Sequence, residues 1–369
     1  MPLPTSAATL GTIDPATLPA RSGWLYAPAR RLAAWFEGLV DPYPEALPAI
    51  PPKGLLPFLW RCTEGLRAPL LLMSVCTALI GVFEAVLFGM LGRIVDWLGA
   101  TPPERLFSEH GTGLLTLAAL LVASPIVVGA QTMFKHQSLA GNFPMRLRWN
   151  FHRLMLGQSL AFYQDEFAGR VAAKVMQTAL AARDAIFIVT DILVFVAVFF
   201  LTLGVVLAGF DLRLLLPFIV WLALYLLALR WFIPRLAKVS QAQADARALM
   251  TGRVTDAYAN ITTVKLFSHA RREAAYAKGA MQDFLGTVHG QMRYVSAFET
   301  VIHSLSMSLV LGTTALALWS WHEGSIGLGA VAAATAMALR LNGFSHWIMW
   351  EMSALFEHVG TVQDGINTL

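Results

Sequence analysis

The sequence predicts an all-α membrane protein of six transmembrane helices, with long helical extensions between spans 2 and 3 and between spans 4 and 5. Three observations predict it. Of 369 residues, 56% are hydrophobic and only 14% are charged, where soluble domains carry about 25% charged residues. Six apolar stretches, near 68–92, 113–134, 186–209, 212–233, 297–320 and 326–350, each approach the ~20 residues that a bilayer crossing needs. The two long polar segments between them keep apolar residues every three or four positions, which is a helical rather than a loop pattern.

Residues 1–57 are rich in proline and read as an arm rather than a packed domain. The opening "MPLPTSAATLGTIDPATLPA" has neither a basic n-region nor an apolar h-region, so no secretory signal is expected. Within the arm, "RRLAAWFEGLV" puts Leu32, Trp35, Phe36, Leu39 and Val40 at helical spacing, with Arg30, Arg31 and Glu37 elsewhere. Such a helix suits a membrane surface, its arginines facing anionic headgroups, and equally suits packing on the protein's own surface. Cys62 and Cys76 are the only cysteines, too few for a disulfide framework.

Charge placement orients the spans. The segment from Lys135 to Arg183 holds seven Lys/Arg and that from Arg235 to Arg293 holds nine, whereas 93–112 carries only Arg93 and Arg105, and the "GFDLR" turn adds Arg213. The positive-inside rule puts both termini and both long segments in the cytosol, with a bacterial inner membrane as the expected location. Trp97, Trp319 and Trp321 then lie near one interface and Trp60, Trp231 and Trp350 near the other. The net charge of +4 is modest, and no nucleic-acid partner is expected.

A helix rises about 1.5 Å per residue, so ~25 residues out and ~25 back project on the order of 35 Å as stalks. Each stalk pair needs a turnaround. "AFYQDEFAGR" (161–170) and "TDAYANITTV" (255–264) supply them, with Thr255 or Asp256 able to cap a short helix. Phe162, Tyr163, Phe167, Tyr258 and Ile261 at those tips lie far from lipid, where exposed aromatic and apolar residues suggest a docking surface.

This arrangement resembles the transmembrane domain of an ATP-binding cassette (ABC) exporter of the multidrug or lipid type, from about residue 55 onward. "SLAFYQDEFAGRVAAKV" is similar to that family's first coupling-helix region through Phe162, Tyr163, Gly169 and Arg170. "DAYANITTVKLFSHARREAAY" is similar to the second through Ile261, Val264, Lys265 and Phe267. It departs where His269 and Arg271 replace an acidic residue, and where Gln177 or Thr178 replaces an Asp. The resemblance implies two coupling helices. It also implies ATPase-coupling roles for Phe162, Tyr163, Phe167, Gly169, Arg170, Asp256, Tyr258, Ile261, Lys265 and Phe267, and a homodimer. The domains are then an arm at 1–57, a transmembrane domain at 58–352, and the start of a linker at 353–369.

The resemblance further implies a nucleotide-binding domain with ATP and magnesium. These residues contain no Gly-x-x-x-x-Gly-Lys-Ser/Thr loop to cradle phosphates and no "SGGQ"-like signature. The stretch "SALFEHVGTVQDGINTL" shows no helix-stop signal, so span 6 is expected to run on toward a motor on the same longer polypeptide, or else on a separate one.

Ionisable residues inside spans invite functional reading. Glu84 shares a helical face with Met73, Thr77 and Phe88, and Arg340 with Phe344, Trp347 and Glu351. Measured from the outer ends, Glu84 and Arg340 fall within roughly one helical turn of depth. They form either an ion pair that orders the bundle or a contact for cargo. Span 5 carries a stripe of Ser296, Glu299, His303, Ser306 and Thr313, in which Glu299 and His303 are i,i+4 neighbours. The candidate substrate cavity is thus Glu84, Phe88, Glu299, His303, Arg340, Phe344 and Trp347. Asp184 and Asp191 share a face and are expected to pair with stalk arginines, while Ala330, Ala334 and Ala338 read as helix packing.

Two other functions compete. A membrane enzyme needs converging catalytic groups, but no His-Glu-x-x-His, Gly-x-Ser-x-Gly or Cys/His metal set occurs and the nine histidines are scattered. An ion-coupled transporter or channel using Glu84, Glu299 and Arg340 would show broken helices or inverted repeats, and neither is visible.

Overall fold

The computed structural model describes residues 26–46, 48, 51–165, 168–266 and 270–366, and among these all regular structure is helical. Two helices precede the bundle: α1 (Tyr26–Glu37) and α2 (Leu55–Cys62). The spans are α3 (Arg67–Ala100), α4 (Leu106–Thr132), α8 (Val194–Phe210), the first half of α9 (Leu215–Ala259), the second half of α11 (Ala270–His322), and α12 (Leu328–Ile366). Stalk 1 is α5 (Asn142–Leu156) and α7 (Ala168–Phe187), closed by α6 (Leu160–Asp165). Stalk 2 is the remainder of α9 and α11, closed by α10 (Ile261–Leu266). Widened π-helical turns, Met133–Ala140 and Ile188–Leu193, join α4 to α5 and α7 to α8.

Among the described residues, five helices are long and apolar enough to cross a membrane. The sixth, α12, has its apolar run broken by Arg340 and Asn342. The 45 residues of α9 and 53 of α11 correspond to about 68 and 80 Å of helix, far more than the ~30 Å hydrocarbon core. The excess is the stalk.

Burial divides into two clusters. One fills the bundle where α3, α8, α9, α11 and α12 meet, and includes Phe199, Leu207, Phe218, Trp221, Phe298, Ile302 and Met337. Ala330, Ala334 and Ala338 belong to it, and their small side chains let α12 come close to its neighbours. A close approach is made at Gly92 of α3 and Gly329 of α12, where a Cβ at 329 would collide with the Gly92 carbonyl oxygen. Asp96 Oδ1 accepts the Gly329 backbone N–H at 2.7 Å, satisfying a donor at the start of α12. At the same end of the bundle, Arg213 and Glu323 tie two short turns together at 2.8 Å.

The second cluster builds stalk 1. Phe143, Leu147, Phe151 and Met155 of α5 pack against Val171, Val175 and Ala182 of α7, with Phe58 and Cys62 of α2 and Val362 and Ile366 of α12. The tail of α12 therefore packs on α7, and Lys174 meets Asp364 at 3.0 Å. Stalk 2 is built differently. Among the described residues between Phe232 and Phe298, only Ala280 is buried. The stalk is held by Arg253 over Tyr276 (4.4 Å), Arg247 over Phe284 (5.6 Å) and Gln291 donating to Ser240 (3.0 Å).

The described part of the arm is held against the stalk. Ser138 donates to the Phe36 carbonyl (2.8 Å) and Asn142 to that of Glu37 (2.9 Å). Arg146 then takes the Asp41 carbonyl (2.6 Å), Trp149 that of Pro44 (3.3 Å), and Arg153 those of Glu45 (3.0 Å) and Ala46 (2.7 Å). Donors at 142, 146, 149 and 153 form one face of α5, so residues 37–46 of the arm are strapped along it. In α1 and the turn after it, Phe36 and Val40 are buried against the protein, while Leu32, Trp35 and Leu39 remain exposed.

Candidate functional site

The stalk tips form where expected, with one correction. In α6, Phe162 packs edge-on to Tyr163 at 5.2 Å, and the Tyr163 hydroxyl donates to the Met155 carbonyl at 2.8 Å. These two rings fasten the tip to the end of α5. Gly169 is exposed at the start of α7, where Arg170 also falls, while Phe167 lies outside the described residues. At the second tip Asp256 does not cap a short helix. Helix α9 runs through it to Ala259, and the break comes at Asn260, whose backbone N–H and side-chain amide both donate to the Asp256 carbonyl (3.0 Å each). Asn tolerates the departure from helical geometry that ends a helix. Tyr258, Ile261 and Lys265 are exposed around this break, and Phe267 lies outside the described residues.

Inside the bundle, the Arg340 guanidinium binds the Glu84 carboxylate directly, tying α12 to α3. Arg340 also lies over the Phe344 ring at 4.4 Å. Among the described residues Glu84 Oε2 is buried without a partner, so the pair uses one carboxylate oxygen only. Phe88 is partly buried beside the bundle core. The span 5 stripe divides: Ser306 and Thr313 are buried, while Glu299 and His303 are exposed and make no mutual contact among the described residues. The buried face of α11 centres on Phe298, Ile302 and Leu309, and the stripe runs along its edge.

A second charged cluster was only half visible in the sequence. Asp191, in the second π segment, is buried. Its Oδ1 accepts from Thr77 Oγ1 of α3 (2.5 Å) and Gln131 Nε2 of α4 (3.0 Å), and its Oδ2 pairs with Lys135 Nζ of the first π segment (2.6 Å). The expected partnership with stalk arginines holds for Asp184 and fails for Asp191. Asp184 binds its neighbour Arg183 (2.8 Å), whereas Asp191 is turned into the bundle and meets a lysine. A π turn rephases the helix by inserting a residue, so a straight α-helical projection misplaces every later side chain. Gln131 and Lys135, i,i+4 polar residues where span 2 ends, were the signal that could have found it.

This cluster forms one wall of a cavity of about 510 Å³, whose other walls are Ile80 and Ile192, the rings of Phe195, Phe344 and Trp347, and Glu351. Phe195 meets Phe344 edge-on at 5.4 Å and Trp347 at 6.1 Å. Trp347 Nε1 donates to Glu351 Oε1 at 3.1 Å. Of the predicted cavity residues, Phe344 and Trp347 line it, Glu84 and Arg340 stand beside it through Phe344, and Glu299 and His303 do not line it. Outside the spans, burial pushes the Cys62 thiol up to about 12, while the Trp319 indole and the Arg213 guanidinium hold the Glu323 carboxyl below its usual range. Among the described residues no group of His, Cys, Asp and Glu could hold a metal ion.

Six long helices, two helical stalks and a short helix at each tip define an integral, multi-pass transporter domain of the ABC exporter type. Residues 70–343 match the family described as the ABC transporter transmembrane region, and the chain belongs to that family. An "Uncharacterized ABC transporter ATP-binding protein" from Haemophilus influenzae is 55% identical over 340 residues, covering 92% of this chain and 55% of that protein. The chain thus spans about half the length of the curated relative it matches. A solved bacterial Atm1-family ABC exporter with ATP bound shares the fold at a TM-score of 0.61 and 13% identity, over 80% of this chain and 52% of that one.

Proposed function

We propose that this chain is the membrane-spanning half of an ATP-driven exporter that moves an amphipathic substrate by alternating access. The observation that carries the reading is that each helical stalk closes on a six-residue helix at its turnaround, α6 and α10. Tyr258, Ile261 and Lys265 are exposed there and available to a partner surface. A nucleotide-binding domain supplies ATP and magnesium chemistry. The chain receives its closure at Phe162, Tyr163, Gly169 and Asp256 in the tips and passes it along the stalks. The stalks lie in the cytosol, two copies of the domain face each other, and the substrate enters among the apolar walls near Phe344 and Trp347.

The test is flux in vesicles reconstituted with the full chain and its nucleotide-binding domain. An amphipathic fluorophore accumulates only when ATP is present, and Ile261→Asp at the α10 tip abolishes accumulation while ATP hydrolysis continues. Accumulation driven by an ion gradient without ATP would overturn the reading in favour of a secondary transporter.

A further inference from the structure

The cavity between α3, α4, α8 and α12 has a definite charge balance. Lys135 and Asp191 neutralise each other at 2.6 Å. Glu84 and Arg340, one step outside the cavity, do the same. Glu351 stands apart: among the described residues its partner is the Trp347 indole N–H, which carries no charge. The lining therefore keeps one uncompensated negative charge next to three aromatic rings.

The rings are arranged to be used. Phe195, Phe344 and Trp347 meet edge-on or tilted, and no two of them stack face to face. One face of Phe344 is already occupied by the Arg340 guanidinium and one face of Phe195 by the stacked Phe199 ring (5.9 Å), which leaves Trp347 and the remaining face of Phe195 for an incoming cation. Indole is the strongest of these π surfaces, and here it is hydrogen-bonded to the carboxylate that would share the charge.

An anion has no comparable place. Its natural partner, Lys135, is held by a buried carboxylate. Detaching it would leave Asp191 charged, 6% exposed, and supported only by Thr77 and Gln131. The volume of about 510 Å³ is that of sites for drug-sized molecules, roughly 300–1,000 Å³.

We propose that this cavity is a binding site for a hydrophobic monocation, with its charge between the Glu351 carboxylate and the rings of Trp347 and Phe195 and its apolar body along Ile80, Ile192 and Phe344. This rests on the exporter reading for its purpose, since it names the class of amphiphile carried, but binding needs neither nucleotide nor a motor. Glu351 is the specificity-determining residue, and the Lys135–Asp191 pair is a neutral wall that rejects anions.

The test is equilibrium binding of radiolabelled tetraphenylphosphonium, and of its isosteric anion tetraphenylborate, to the full chain in lipid nanodiscs without ATP. Empty nanodiscs give the background. The expected result is saturable binding of the cation and only background partitioning of the anion. Glu351→Gln, which keeps the shape and the indole contact, weakens cation binding about tenfold or more, and Trp347→Leu weakens it as well. Glu323→Gln, at the opposite end of the bundle, leaves it unchanged. Saturable anion binding as tight as that of the cation, purely non-saturable uptake of both, or unchanged affinity in Glu351→Gln would each overturn the proposal. The exporter reading fails separately: cation binding that persists with no ATP-driven flux refutes the pump and leaves the site, whereas ATP-driven flux without this binding refutes the site alone.

Discussion

Replacing Asp191 by Asn isolates the charge of the buried cluster from its shape. The amide oxygen still accepts from Thr77 and Gln131, but an NH2 group now faces Lys135 Nζ where a carboxylate oxygen stood at 2.6 Å. Breaking a fully buried ion pair costs about 3–5 kcal/mol. The Lys135 side chain keeps 30% exposure against 9% for Asp191, so the stranded ammonium retains part of its hydration and the expected loss is about 2 kcal/mol. Lys135→Met alone strands the less exposed carboxylate and costs about 3 kcal/mol on the same reasoning. In the double variant no charge is stranded, and the loss falls to about 1 kcal/mol or less. The coupling energy is therefore about 4 kcal/mol by this cycle. Equilibrium unfolding in mixed detergent micelles, followed by tryptophan fluorescence, measures all four corners. Additivity within about 0.5 kcal/mol would refute the reasoning, because it would mean that the two π segments are not pinned by this pair.

Three further outcomes rest on local geometry. Gly329→Ala puts a Cβ against the Gly92 carbonyl and 2.6 Å from the Asp96 carboxyl, so it destabilises by about 1–3 kcal/mol, whereas Gly99→Ala meets nothing within 4 Å; equal shifts in thermal unfolding would contradict the close approach. Cys62, buried with its thiol pushed up to about 12, stays unalkylated by iodoacetamide at about pH 8 until the protein unfolds; rapid modification of the folded chain, read by peptide mass spectrometry, would contradict the packing of α2. The Glu323 carboxyl is held below its usual value by Trp319 and Arg213, so its contribution is present above the unfolded-state pKa and is lost as pH falls through the lower folded value. Trp319 fluorescence should accordingly titrate below the ordinary carboxylate range and lose that transition in Glu323→Gln, and a midpoint at or above the ordinary value would break the assignment.

The spans, their order and the stalks were legible because each rests on a chain-local signal: an apolar run, a count of lysines and arginines, or a spacing. Glu84 and Arg340 could be matched because both depths are measured along unbroken helices from nearby turns. Lys135 and Asp191 could not, since each lies in a π segment where the 3.6-residue period no longer says which way a side chain faces. The strap was invisible for another reason. Asn142, Arg146, Trp149 and Arg153 bind main-chain carbonyls, and a carbonyl acceptor leaves no mark on residue identity. Asp256 looked like a cap because its type favours one, but the helix continued through it until Asn260 offered a better place to stop. Glu351 was seen only as a neighbour of Trp347, because a cavity is a property of several helices at once.

The two stalks differ in what deforming them costs. Stalk 1 is keyed into a dry interface shared by α2, α5, α7 and the end of α12, so bending it means opening packed side chains. Stalk 2 is two helices touching through cation–π and amide contacts in the open, with Ala280 as its single buried residue among those described. Mechanically, one is a braced strut and the other a leaf spring. A displacement at the α6 end is delivered to the spans nearly undiminished, whereas one at the α10 end is first stored as curvature along α9 and α11. Amide hydrogen exchange should register the contrast as slower exchange across 171–187 than across 237–259 and 270–295.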